Sequence, residues 1–189
     1  MAIETRYADT SISGDALWPD RAFGAADDQW SGTTVAGDNW VHTWGIANPS
    51  NPLVSAGTNV VKVWARKNGT GGNDPTLSFE LLESGVNLAT LGGTVVTNTT
   101  GELITSNTFT GSQITNPNNV EIRLTSSHGG GSPAGRWEVE IDYIQVDFEV
   151  VAATTHTMSS SGSTTTNGVA AMTVVPAPVT HTMSSSGAT

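Results

Sequence analysis

Apolar and polar residues alternate with a period of two over several short stretches of the chain. In TNVVKVWAR, Val61, Val63 and Ala65 share one face while Lys62, Trp64 and Arg66 share the other. In LSFELLE, Leu77, Phe79 and Leu81 alternate with Ser78 and Glu80, and in NVEIRLT, Val120, Ile122 and Leu124 alternate with Glu121 and Arg123. Each pattern predicts a half-buried strand with one wet face. The stretch RWEVEIDYIQVDFEV places Trp137, Val139, Ile141 and Tyr143 on one face, and then Ile144, Val146, Phe148 and Val150 continue the apolar series one position over. A one-residue slip would turn the core face outward, so a β-bulge near Tyr143–Ile144 is expected, or else a strand that passes between two sheets.

Turn signals divide these segments: RKNGTGGNDP after the first strand, ESGVN near Ser84, and SSHGGGSPAG before Arg136. No helical periodicity of any length is present, and at most a turn or two is expected near Asp20–Asp28. Short strands joined by such turns predict an all-β chain, an antiparallel jelly-roll-like β-sandwich with an extended C-terminal tail.

Charge then separates body from tail. All seventeen acidic and seven basic residues fall at or before Glu149, and beyond it only His156 and His181 can titrate. The division reads as an N-terminal arm (1–16), a sandwich domain (17–150) and a low-complexity repeat tail (151–189). The tail contains THTMSSSG twice. Val175–Thr189 set on Val150–Thr164 at an offset of 25 residues gives 11 identities in 15 positions. Two such units are too few and too poor in apolar residues to predict a solenoid. A flexible Ser/Thr-rich linker and an assembly arm are the two readings left. As an arm, its contact positions would be Thr155, His156, Met158, Val174, Val175, Thr180, His181 and Met183.

A net charge of −10 with scattered Lys and Arg argues against phosphate-backbone binding, so no nucleic-acid partner is expected. No apolar run approaches the ~20 residues of a membrane span, and the N-terminus lacks the basic and apolar regions of a signal peptide. With no cysteine, neither disulfides nor thiolate metal sites enter.

Candidate chemistry is sparse. Glu138, Glu140 and Asp142 recur at every second position and could serve glycoside hydrolysis, but they read as the solvated face of an outer strand. No histidine has triad or metal-ligand spacing: His42 lies in an aromatic strand, His128 in a Gly-rich loop, and the others in the repeat. Asp27-Asp28 and Asp38-Asn39 offer oxygen ligands for calcium without the spacing of an ion loop, and read as turn formers. Trp18, Trp30, Trp40 and Trp44 fall close together. Trp40 and Trp44 in NWVHTWG are expected in the core, which leaves Trp18 and Trp30 as the glycan-stacking candidates. No catalytic residue, cofactor or metal is expected, and the chain is read as a non-enzyme.

From Leu17 to Val150 the succession of motifs resembles a β-sandwich module of tailed-bacteriophage virion proteins. The elements stand here as the Asp27-Asp28 pair, Trp30, GIANPSNP, VVKVWARKNGTGG, LSFELLESG, NNVEIRLTSS and GRWEVEIDYIQVDFEV. The final strand is unusually long and acidic for that module, and the repeat tail lies outside it. The resemblance implies a virion structural protein of capsid decoration, cement or fibre type. The expected partners are the major capsid protein or other virion subunits and further copies of the chain, with a trimer by analogy. Such a protein would be made in the bacterial host cytoplasm and carried on the outer surface of the virion. The alternative is a carbohydrate-binding module of a phage fibre or tail protein, used in host adhesion.

Overall fold

A computed structural model describes residues 1–16, 19–25, 27–32, 39–70, 72–128, 137–160 and 179–185. The strands are β1 (Ala2–Gly14), β2 (Trp40–Ile46), β3 (Thr58–Lys67), β4 (Thr76–Glu83), β5 (Val86–Val95), β6 (Glu102–Thr105), β7 (Phe109–Thr110), β8 (Val120–Ser127) and β9 (Val139–Val150) in the body. In the tail they are β10 (Thr154–Ser160) and β11 (Val179–Ser185). Helix among the described residues is limited to single 3-10 turns, one of them at Pro19–Ala22.

The body strands run in the order β5-β4-β8-β2-β1-β9-β3-β6, with β7 also paired to β3, and every pair is antiparallel. β1 makes the sheet curl. Its first half, Ala2–Tyr7, pairs with β9, and its second half, Ala8–Gly14, pairs with β2. Two register shifts, between Ala8 and Thr10 and between Ser11 and Ser13, accompany the change of partner. Bulges of this kind bend a strand and sharpen its twist, which lets one strand serve two sheets. The result is the jelly-roll-like antiparallel β-sandwich that the alternation predicts. The segment read as an N-terminal arm therefore holds the strand that joins the two layers.

The inward faces are those read from the sequence. Val61, Val63, Ala65, Leu77, Leu81, Ile122 and Leu124 are fully buried. Each of the Val, Leu and Ile side chains contributes on the order of 1.5–3 kcal/mol by leaving water, and Ala65 less. Trp40 and Trp44 also lie in this core as expected, edge to face at 6.1 Å. Their indole N–H groups donate to Val139 O and Pro19 O, both at 2.8 Å, so neither ring leaves a donor unsatisfied. The β4–β5 hairpin turns on Ser84 (φ 51°) and Gly85 (φ 79°). Two positive φ values in a two-residue loop match the right-handed twist of the flanking strands.

Two expectations for β9 change. The bulge lies one position earlier than the apolar pattern suggests: Trp64 pairs with Tyr143 and Ala65 with Ile141, which leaves Asp142 as the extra residue. The alternation puts Tyr143 on one face with Val139 and Ile141, yet its ring stacks outside the core on Trp64. The acidic residues also do not form a solvated face. Glu138 and Asp142 are fully buried, and Glu140 is half-buried. The segment 27–32 covers this part of β9, held by a bridge in which Ser31 and Ile141 exchange hydrogen bonds of 2.7 and 2.8 Å.

Candidate functional site

The outward face of β1, β9, β3 and β6 carries a row of large side chains. Tyr7 meets Tyr143 edge to face with centroids 6.2 Å apart, and Tyr143 stacks on Trp64 at 6.4 Å with planes 11° apart. Opposite Trp64 in the register stands Leu103, which is 47% exposed. Beside this row the Arg66 guanidinium lies 4.0 Å above the Trp30 ring. Cation–π contact of this kind holds both groups in place. The loop residue Gly101 approaches both indoles, so closely that a side chain there would meet Trp64 and Trp30.

Polar groups flank the aromatics. Arg66 Nε donates to Glu140 Oε2 at 2.7 Å, and Lys62 Nζ to Asp147 Oδ2 at 2.6 Å. Thr5 Oγ1 and Gln145 Nε2 also donate to Asp147, at 2.7 and 3.2 Å. The face thus combines aromatic rings with a rim of paired donors and acceptors. Burial raises the Tyr143 hydroxyl above the ordinary phenol value, with Tyr7 and Asp142 adding to the shift and Lys62 opposing it. Tyr143 therefore stays a neutral donor and acceptor in ordinary buffers.

Behind the row, Asp142 anchors the loop that presents Trp30. Its Oδ1 accepts from the Asp27 backbone N–H at 3.3 Å, while its Oδ2 is buried with no hydrogen-bond partner among the described residues. Burial raises its carboxyl above the ordinary value, and hydrogen bonds from the Asp27 and Asp28 backbones work against that shift. Asp28 takes a positive φ of 62° to make the turn. Among the described residues no three His, Asp or Glu side chains converge as metal ligands. Asp38 lies outside the described residues, and Asn39 Oδ1 accepts from the His128 backbone N–H at 2.9 Å. Among the described residues no helix is long and apolar enough to cross a membrane.

The tail forms a second candidate surface. β10 and β11 make a separate two-stranded parallel sheet in which Thr155 pairs with Thr180, His156 with His181, and Met158 with Met183. Six of the sequence-read contact positions thus fall into three matched pairs. Val174 and Val175 lie outside the described residues, as does Trp18.

Of the glycan candidates only Trp30 is placed, next to a row that sequence reading did not assemble. Trp64 carried a usable signal, an aromatic on the polar face of an alternating strand. Tyr7 and Tyr143 carried none, because one lay in the segment read as an arm and the bulge hid the phase of the other.

Comparisons with family models and with curated proteins give no match. Among solved structures, the chain is similar to the C-terminal CBM6 of LamC, a marine laminarinase from Zobellia galactanivorans. Identity is 15% over 77% of this chain and 98% of that one, with a TM-score of 0.42. It is similar to the CBM36-1 domain of a multidomain xylanase from the hindgut metagenome of Trinervitermes trinervoides, at 15% identity over 77% and 96% of the two chains and a TM-score of 0.39. It is also similar to a chain of infectious bursal disease virus, Gt strain, at 16% identity over 80% of this chain and 38% of that one, with a TM-score of 0.36. The strand order and burial described above define the sandwich by themselves.

Proposed function

We propose that the chain is a structural, non-catalytic protein of a bacteriophage particle, a capsid decoration or cement protein carried on the outer surface of the virion. The observation that carries this reading is the charge-free tandem repeat, which pairs with itself in a sheet apart from the sandwich. A domain with a closed core gains nothing internally from such an appendage. An assembly does, because strand pairing supplies backbone hydrogen bonds with few demands on side chains. The acidic body suits a soluble outer component and argues against clustered contacts to nucleic acid. The sandwich would sit against major capsid protein or other virion subunits, and the tail would reinforce the joints between copies against pressure from the packaged genome. The test is removal of Val175–Thr189, which takes away β11. Occupancy of the truncated chain on purified particles is expected to fall about tenfold or more, which corresponds to the loss of ~1.4 kcal/mol of association. Unchanged occupancy refutes the role of the tail.

A second reading, glycan binding for host adhesion, is favoured by one observation, the outward row Tyr7–Tyr143–Trp64 with its polar rim. Aromatic area left uncovered by the ring-to-ring contacts would meet the apolar faces of sugars, and the rim would supply hydrogen bonds to hydroxyls. A binding glycan is expected to quench tryptophan fluorescence, and Trp64→Ala is expected to abolish binding while leaving the fold intact. An array screen with no binder sets this reading aside.

A further inference from the structure

In the tail pair every rung from Thr155 to Ser160 joins a residue to its own counterpart in the repeat, ending at Ser160 with Ser185. The register offset equals the 25-residue period of the sequence. A parallel pair whose register equals the repeat length is the geometry of stacked coils, in which each repeat supplies one rung and contacts only its neighbours. The 18 residues between the strands are enough for the crossover that parallel pairing needs. Sequence reasoning dismissed stacking because two repeats are too few, and energetically the objection stands. About three rungs are needed for stability, and an isolated two-stranded sheet is marginal in water.

The missing rungs have an identifiable source. Among the described residues β10 and β11 pair only with each other, so each keeps one edge of unpaired N–H and C=O groups. Neither strand contains Lys, Arg, Asp, Glu or Pro, the residues that natural proteins place on edges to prevent further pairing. Seven residues with no charge, no Pro and no Gly, paired in register with the same sequence, are the signature of self-stacking segments. The strand that fits the open edge of β11 best is the one that already fits its other edge, a copy of β10.

We propose that β10 and β11 are two rungs of an intermolecular parallel, in-register ladder, and that a second copy of this chain adds its own THTMSS strands to their open edges. This deepens the assembly reading above by naming the partner of the tail, and it rests on that reading for its setting. Neighbouring strands lie ~4.8 Å apart, so equivalent residues of successive copies stand roughly 10 Å apart.

The chain has no cysteine, so single nitroxide labels can be introduced cleanly. The full-length variants Thr154→Cys, Thr157→Cys and Ser160→Cys, each carrying one label, are expected to show equal spin–spin broadening. That broadening is expected to vanish when the labelled chain is diluted into an excess of unlabelled chain. Absence of broadening at every soluble concentration overturns the ladder, and broadening confined to one position overturns its register. A charge test keeps the register question independent of labelling. The His156→Glu/His181→Glu pair sets like charges on adjacent strands and is expected to lower self-association several-fold, whereas His156→Glu/His181→Lys preserves it. Equal association of the two double variants also overturns the register. Occupancy on purified particles, measured alongside, separates the two proposals. Particle binding without a ladder retains the virion reading, and a ladder without particle binding retains only the self-pairing.

Discussion

In the body, β3 pairs with β9 across a separation of more than seventy residues, and the two strands have unlike sequences that meet through buried side chains. In the tail, β10 pairs with β11, and the two strands are near copies that meet rung for rung. The first arrangement is specified by which faces can leave water together, and a slip of one residue would expose a whole apolar face. The second is specified by repetition, since in-register pairing gives every residue from Thr155 to Ser160 an identical neighbour. A strand of the first kind has a fixed set of partners, and a closed core limits how many can be added. A strand of the second kind has as many partners as there are copies. One chain thus combines a self-sufficient module with a segment whose pairing is open-ended.

The comparison predicts that the two regions fail separately, and the largest effect belongs to the core. Trp44→Ala removes a fully buried indole, its edge-to-face contact with Trp40 and its hydrogen bond to Pro19 O. Large-to-small changes at such sites cost about 3–5 kcal/mol. Urea unfolding followed by tryptophan fluorescence should show that loss, and a cost below about 1 kcal/mol would mean that the two layers do not share one core.

The difference between the regions also explains what could be read in advance. Faces set by alternation were legible: Val61, Val63 and Ala65 on β3, and Leu77, Phe79 and Leu81 on β4, are buried as their spacing requires. β1 was not legible, because AIETRYADTSISG carries few apolar residues and its pairing comes from bending between sheets. The aromatic row was legible only at Trp64. Tyr7 and Tyr143 reach it through the β1–β9 register and the Asp142 bulge, which depend on partners distant in sequence. The acidic run on β9 misled for a related reason, since alternation assigns a face but not what covers it. Here segment 27–32 does the covering. In the tail the repeat itself was legible, and its parallel pairing at the same offset was not.

A smaller effect sharpens the electrostatic side of the comparison. His42 is buried against Trp44, with its Nε2 2.8 Å from Ser11 Oγ and its Nδ1 buried without a partner among the described residues. Burial lowers its pKa below the ordinary 6.5, with Asp15 partly opposing. A histidine shifted down binds fewer protons folded than unfolded, so its contribution is fully present above pH 6.5 and is lost as pH falls from there through the folded value. The slope can approach ~1.4 kcal/mol per pH unit for one proton. Asp142 has the opposite sign. Its carboxyl is shifted up by burial, so below its folded value it binds the proton the unfolded chain lacks and offsets part of the acid loss. His42→Gln should flatten the dependence of the urea midpoint just below pH 6.5, and an unchanged profile would mean that the imidazole is not desolvated in solution.

The smallest expected effect tests the separation of the two regions most directly. Thr157→Pro removes a backbone donor in the middle of β10 and fixes a dihedral angle that continuous pairing does not readily accept. If tail rungs are held only by other tail rungs, this change should shift the stability of the body by no more than about 0.5 kcal/mol, the range of substitutions remote from a core. The same variant should lose self-association in sedimentation, because an interrupted β10 cannot template a neighbour. A drop in body stability above about 1 kcal/mol would tie the tail to the sandwich and dissolve the distinction, since β10 would then belong to the closed core and have no edge left to offer.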